Sequence, residues 1–346
     1  RLWTTQAQAL REPHTAPEIS MADLTATVLQ LYAWGARPET FEWFEDPPSG
    51  AVATAEALLV QLGALEGTPH QITALGTQLA QLPIHPRLGR VIIEGKALGV
   101  LEQSAAAAAL ASERDPWGRV DGVSGDLLQR LDWIDSNSRT GADPRVLAMV
   151  RRVRDQLVRV GRRLDMDVRR GEGRVDTRVV DSLIAGFPDR VGLRRSQTGR
   201  SLLLSGGSGA DLAPGVQCSD CFVAVVLTAS GRGSVPWVRV TADVDPEHLA
   251  QTWSNESVFD FDKDAVVYRR VRRFGSLVLE QKPSHHAAPP EATSRALLDA
   301  ATTKFSSVIT VDDRVDLLLG RITFLLRVRP DVEAPVWLSD LSVLLP

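Results

Sequence analysis

Apolar residues recur at helical spacing through the first half of the chain and at alternate positions through much of the second, so two regimes of secondary structure are expected. Residues 1–18 hold two prolines and no helical period, and read as an extended arm. In LTATVLQLYAW, Leu24, Val28 and Leu31 form one stripe, with Asp23 placed to cap the helix and Gly35 to stop it. FEWFEDPPSG is a turn-rich bridge. Val52, Ala55, Leu58, Leu59 and Leu62 then share a face of a second helix that opens at Ser49 or Gly50 and ends at Gly63. After the turn region EGTPHQ, Thr73 caps a third helix carrying Leu75, Leu79 and Leu82. Helix, helix, short ribbon, helix is the order of a small winged-helix domain, assigned to residues 19–85.

The next stretch, LPIHPRLGR, joins two helices through a pair of prolines. Pro83 stops the helix before it, and Pro86 stands where a new one begins, because the first helical position needs no donor. Ile84 is held between them as an apolar plug, so the stretch reads as a domain joint. From Pro86 to about Leu164 the pattern is helical, and residues 86–177 are assigned to a helical bundle. In its last long helix, Val146, Val150, Val153, Leu157, Val160 and Leu164 alternate four and three apart, a narrow buried seam. Arg151, Arg152, Arg154, Arg159, Arg162 and Arg163 occupy the other faces, either as a solvated surface or as a nucleic-acid contact.

Beyond VDTRVVDSLIAGFPDR the period becomes two. RVGLRRS, RSLLLSGG, CFVAVVLTA, WVRVTADV and AVVYRRVRRFGSLVLEQ are strand candidates separated by glycine-rich turns, with PEHLAQTW as a short helix before the last. Five short strands and one inserted helix imply a small OB-like barrel over residues 178–284. HHAAPPEA is a linker. Residues 291–327 are helical and precede a Trp-bearing segment, VWLSDLSVLLP, in a mixed C-terminal module spanning 285–346. The fold class is multidomain α+β, as a chain of 346 residues requires more than one core.

Charge sharpens this picture. The net charge is −4, yet residues 139–200 hold 16 Arg against 8 Asp and Glu, so that window is +8 and the remainder −12. A basic zone on an acidic frame attracts phosphate locally. Only four of the cations are Lys, leaving 35 Arg, so a general preference for Arg accounts for the zone equally well. No apolar run approaches the ~20 residues of a membrane span, and RLWTTQAQAL lacks the features of a signal peptide. Without an initiator Met, Arg1 reads as a cut inside a longer protein. Two cysteines, in CSDC (Cys218 and Cys221), fit a reducing cytoplasm and lack the second ligand pair of a zinc site.

Catalytic constellations are not found. A P-loop needs GxxxxGK[ST], and the single Gly-Lys, in EGKALG, is followed by Ala97. DPEH at Asp245–His248 has Pro246 where a metal-organising Glu would stand. Glu113 and Arg114 in SERD read as a helix end or a bridge to another domain, His85 as a packed joint residue, and His285-His286 as linker. No catalytic residue and no metal ligand is assigned, and the chain alone is expected to be inactive towards nucleotide.

The combination ALLVQLGAL…ITALGTQLAQLPIHPRLGRVI, then SERD at Ser112–Asp115, then FPDRV…RR at Phe187–Arg195, resembles the bacterial HrpB-type DEAH-box ATP-dependent helicases. In that family RLW follows the last motor motif, and this chain opens with Arg1-Leu2-Trp3. One departure is Ser208 in SGGSGAD, where the family has Arg. The resemblance implies a ratchet-like bundle, a C-terminal HrpB-type module, and a parent protein that moves on and unwinds RNA. It places ATP and Mg2+ in motor domains preceding residue 1, with no cofactor in this region. Its partners are those motor domains and single-stranded RNA, or DNA, and no membrane.

The implied channel draws its walls from Arg87, Arg90, Arg114, Arg194, Arg195, Arg239, Tyr268, Arg270 and Arg272. In YRRVRR, Tyr268, Arg270 and Arg272 alternate onto one face and Arg269 and Arg273 onto the other. The rival reading is a non-enzymatic winged-helix regulator or docking scaffold. The absence of Lys and Arg from ITALGTQLAQL disfavours reading of a major groove.

Overall fold

A computed structural model describes residues 4, 6, 17–118, 124–136, 141–166, 168–169, 173–195, 199–228, 235–249, 253–263, 265–284, 287–303 and 313–329. They fall into two bodies: Arg1–His248 with Gly275–Leu277, and Leu249–Phe274 with Val278–Pro346. Most of the arm, including Arg1-Leu2-Trp3, and the segments His285-His286 and VWLSDLSVLLP lie outside the described residues.

The first body begins with α1 (Thr25–Ala33) and α2 (Ser49–Gln61). A two-stranded ribbon follows, β1 (Leu65–Glu66) antiparallel to β2 (Gln71–Ile72), and then α3 (Ala74–Ala80). This is the helix–helix–ribbon–helix order that the apolar stripes predict. Those stripes supply the core, with Val28, Leu29, Leu59, Leu65 and Leu79 buried together. Thr73 Oγ1 accepts the Gly76 N–H at 2.9 Å, so that predicted cap forms; at α1 the N-cap position falls to Leu24, and Asp23, one residue earlier, accepts the Thr25 N–H at 2.8 Å. Gly35 and Gly63 end α1 and α2 with left-handed φ of 78° and 72°.

Pro86 is the first residue of α4 (Pro86–Ala97), as the joint predicts. The bundle continues with α5 (Leu101–Ser112), α6 (Leu127–Asp135), α7 (Pro144–Arg163) and α8 (Val175–Gly186). α5 touches all four of the others. Its run Ala105–Ala109 is wholly buried, and such small side chains favour the helix while letting neighbouring helices come close. α7 buries Val150 and Leu157 of the predicted seam.

The arginines of α7 divide between two roles. Arg151 donates to the carbonyls of Ile134 and Ser136 (2.7 and 3.3 Å), satisfying the end of α6, and Arg154 pairs with Asp135 and Asp155. Arg162 meets Glu102 at 2.8 Å, while Arg152, Arg159 and Arg163 stay exposed with no ion pair among the described residues.

A 3-10 turn, Pro188–Arg190, leads from α8 into a closed five-stranded barrel. Its strands are β3 (Val191–Arg194), β4 (Ser201–Leu204), β5 (Gly209–Leu212), β6 (Cys221–Thr228) and β7 (Trp237–Asp243), in the order β3-β4-β5-β7-β6. The β5–β7 pairing is parallel, with Asp211 opposite Trp237 and Leu212 opposite Val238. Leu202, Leu204, Ala210, Leu212, Phe222, Ala224 and Val238 fill the interior.

The barrel strands are not the five that alternation picks out. β5 lies in SGGSGADL, whose glycines read as a turn; the turn is real, with Ser208 exposed in it, and four residues past it suffice for a strand. The strand containing YRRVRR is not a barrel strand but belongs to the second body. There β9 (Ala265–Phe274) is the middle of a three-stranded sheet between β8 (Ser254–Asp260) and β10 (Leu277–Pro283). β8 escapes notice because SNES is polar, yet it pairs with β9 from Ser254 opposite Val271 to Asp260 opposite Ala265. The helix α9 (Pro290–Thr303) packs on β8 and β9, and α10 (Asp313–Val328) follows. Of the inserted helix PEHLAQTW, a single 3-10 turn at Pro246–His248 is described. Among the described residues no helix is long and apolar enough to cross a membrane.

Candidate nucleic-acid interface

The joint is a dense set of charges. His85 caps α4: its Nδ1 accepts the Arg87 N–H at 3.2 Å, which leaves the Nε2 proton facing Asp23 Oδ2 at 3.3 Å. That tautomer is neutral, and burial, helped by the charges of Arg87 and Arg190, lowers the His85 pKa against the raising effect of Asp23. Arg87 donates to both oxygens of Asp189, through Nη2 at 2.8 Å on the second. Burial raises the Asp189 pKa, but the Arg87 hydrogen bonds and charge outweigh it and hold the carboxyl below its usual range. The Phe187 ring lies against two guanidiniums, Arg87 at 5.8 Å and Arg190 at 5.0 Å. Burial, reinforced by Arg87, brings the Arg190 pKa down to about 10.

His85 therefore gives the joint a pH dependence of definite sign. Its lowered folded pKa means that the unfolded chain binds the extra proton first, so its contribution is complete above the unfolded value of ~6.5 and is lost as pH falls from there toward the folded value. Urea unfolding between about pH 8 and 5 is expected to show this loss. The His85→Asn variant, which caps without titrating, should remove that component. An unchanged pH profile in His85→Asn would show the residue to be a bystander.

The nine residues assigned from the sequence separate into three groups. Arg87 and Arg90 are met within the fold, Arg87 by Asp189 and Arg90 by Glu94 at 2.7 Å one turn along α4. On the barrel, Arg194 of β3 reaches the Cys218 carbonyl at 3.4 Å, and Arg239 of β7 donates to Thr228 Oγ1 at 3.1 Å. Arg195 is exposed at the end of β3. Arg114 is exposed as well and lines a cavity of about 420 Å³ with Trp117 and Asp143. Beneath it, Asp115 pairs with the buried Arg130 at 2.8 Å, and Arg130 lies over the Trp117 ring at 5.3 Å. The acidic end of SERD thus closes a helix junction.

Tyr268, Arg270 and Arg272 share one face of the second body's sheet, as alternation predicts. The structure adds two residues that sequence reasoning missed. Trp253, one position before β8, has Arg270 at 5.5 Å, Arg272 at 6.0 Å and Lys282 of β10 at 4.7 Å from its ring. Arg269 and Arg273, on the opposite face, both pair with Glu256 at 2.7 and 2.8 Å. A tryptophan and a lysine 29 positions apart carry no common sequence signal; only the strand pairing brings them together.

Burial pushes the Cys218 thiol up to about 11 and the Cys221 thiol to about 12, so both resist becoming thiolates. Asp245 accepts the Glu247 N–H at 3.0 Å, and DPEH is a turn.

A helix–helix–ribbon–helix unit joined to a helical bundle and then a small barrel, with cations on the barrel and the sheet beyond it, matches the module order that the resemblance to the DEAH-box helicase class implies. The winged-helix helicase associated domain (HA2) family matches residues 55–84, which span the ribbon and its flanking helices. The ATP-dependent RNA helicase HrpB of Escherichia coli is 25% identical over 337 residues, 95% of this chain and 38% of that protein. The ATP-dependent RNA helicase HrpA of the same organism is 31% identical over 121 residues, 34% of this chain and 9% of that protein. The crystal structure of the E. coli DExH-box NTPase HrpB superposes with a TM-score of 0.65 at 23% identity, over 99% of this chain and 41% of that one. These likenesses support a C-terminal region of the HrpB-type DEAH-box helicases. The chain spans about two-fifths of the length of its full-length HrpB relative.

Proposed function

We propose that this region guides single-stranded RNA for an ATP-dependent helicase that translocates on and unwinds RNA, with ATP and Mg2+ acting in motor domains outside it. The observation that carries this reading is the likeness to an RNA helicase along 95% of the chain. The barrel supports it in detail. Numbered within the barrel, its strands run first, second, third, fifth, fourth and back to the first, and we read it as an OB-like fold of the kind that binds oligonucleotides.

In this reading the joint transmits motion. Asp23, His85 and Arg87 tie the start of α1 to the start of α4, and Asp189 ties α4 to the entry of the barrel. A push delivered to the winged helix then moves the bundle and barrel instead of being absorbed in a flexible linker. Arg114 and Arg195, exposed and without ion pairs among the described residues, are the first-body cations best placed to meet phosphate. Arg87 and Arg90 contribute by holding the frame.

Titrating the chain against labelled single-stranded RNA at increasing salt tests the proposal. The logarithm of the affinity is expected to fall linearly with the logarithm of salt, by roughly 0.7 per phosphate contacted. Absence of any salt-dependent binding would favour a docking scaffold.

A further inference from the structure

The sheet of the second body has two charged faces, and they are built differently. On one, Arg269 and Arg273 converge on Glu256, and Arg269 also donates to Gln281 at 2.7 Å, so both guanidiniums have fixed acceptors. On the other, Arg270, Arg272 and Lys282 gather around the Trp253 indole. Glu280 lies there too, 3.5 Å from Arg272 and 2.8 Å from Lys282. Arg270 is exposed and meets no carboxylate among the described residues. Across the ladder it faces Asn255, and Tyr268 faces Ser257, both uncharged.

A cation held over a ring differs from one held by a carboxylate. The indole attracts it through its quadrupole and leaves its charge uncancelled and its N–H donors unspent. Arg270, exposed and opposite the uncharged Asn255, keeps its donors for an anion, and the aromatic side chain beside it adds a surface for a flat group. Single-stranded nucleic acid combines those two chemistries at every residue, a phosphate beside a base whose face is open. In a duplex the bases are stacked on one another and withheld. An acidic peptide supplies the charge but no plane to stack.

We propose that Trp253, Arg270 and Lys282 form a second binding site for single-stranded RNA, in which the cation-bordered indole packs against a base and Arg270 and Lys282 hold the adjoining phosphates. The choice of polymer rests on the function proposed above; the location and the stacking role do not. The contact is sequence-tolerant, because any base offers a face.

The test uses the whole chain and a short fluorescein-labelled oligouridylate, with affinity read by anisotropy at several salt concentrations. Trp253→Ala is expected to weaken binding roughly tenfold or more while leaving the salt slope nearly unchanged, and Trp253→Phe to keep affinity within about threefold. Arg270→Gln combined with Lys282→Gln is expected to flatten the salt slope by about 1.4, two contacts' worth. Thermal unfolding of each variant at the wild-type midpoint confirms that the sheet persists; Arg270→Gln alone, at an exposed position, serves if Trp253→Ala unfolds. Wild-type affinity in Trp253→Ala, or polyglutamate competing as well as RNA at equal charge, would overturn the site. If the unaltered chain binds no RNA at all, the function proposed above falls; if it binds and the variants match it, only this site does.

Discussion

Asp189→Ala is expected to destabilise the first body by about 3 kcal/mol. The substitution removes the carboxylate that both Arg87 nitrogens reach, and leaves two guanidiniums, Arg87 and Arg190, on the Phe187 ring with like charges in a largely buried site. Arg190 already has its pKa brought down to about 10, so the surroundings have no spare capacity for uncompensated positive charge. The pair is not sealed, since the Asp189 side chain keeps 26% exposure, and the expected loss accordingly sits at the low end for a broken buried ion pair. Urea unfolding should show the midpoint falling at constant slope. Adding Arg87→Ala should recover part of the loss, because the stranded charge goes with it. A loss below about 1 kcal/mol would mean that water already serves the pair as it serves a surface bridge.

Gly186→Ala is expected to cost a similar amount, about 3 kcal/mol. In an open helix the same change gains up to ~1 kcal/mol, so the sign is the informative part. Gly186 ends α8 where it lies against α4, and an added Cβ would stand 2.3 Å from Val91 Cγ2 and 2.7 Å from the Arg87 carbonyl oxygen. A side chain could turn away; the backbone oxygen cannot without moving α4. The same close approach brings Phe187 and Asp189 within reach of Arg87, so Gly186→Ala and Asp189→Ala should be less than additive. A stabilised Gly186→Ala protein would show that the two helices stand further apart than described.

The helices were the most legible part of the chain. Their stripes, the cap at Thr73, and the proline at the start of α4 are local signals, each decided within one turn. Four barrel strands were legible by alternation, but β5 hid behind its glycines and β8 behind its polar residues, since a strand's partners decide its identity more than its own composition. At the site, alternation placed Tyr268, Arg270 and Arg272 together, because period two is a property of one strand. It said nothing of who neutralises a charge. Whether a cation is committed, like Arg87, or left open, like Arg270, depends on residues brought from elsewhere in the chain.

Arg87 and Asp189 are separated by 102 residues, and that interval has a meaning for biosynthesis. At ~5–20 residues per second, α4 emerges from the ribosome roughly 5 to 20 s before the carboxylate that will hold it. The buried core of the winged helix, drawn from Leu24 to Ile93, has emerged well before then, while the first turn of α4 waits with its cation in water. A nascent chain halted before residue 189 would carry that waiting surface permanently.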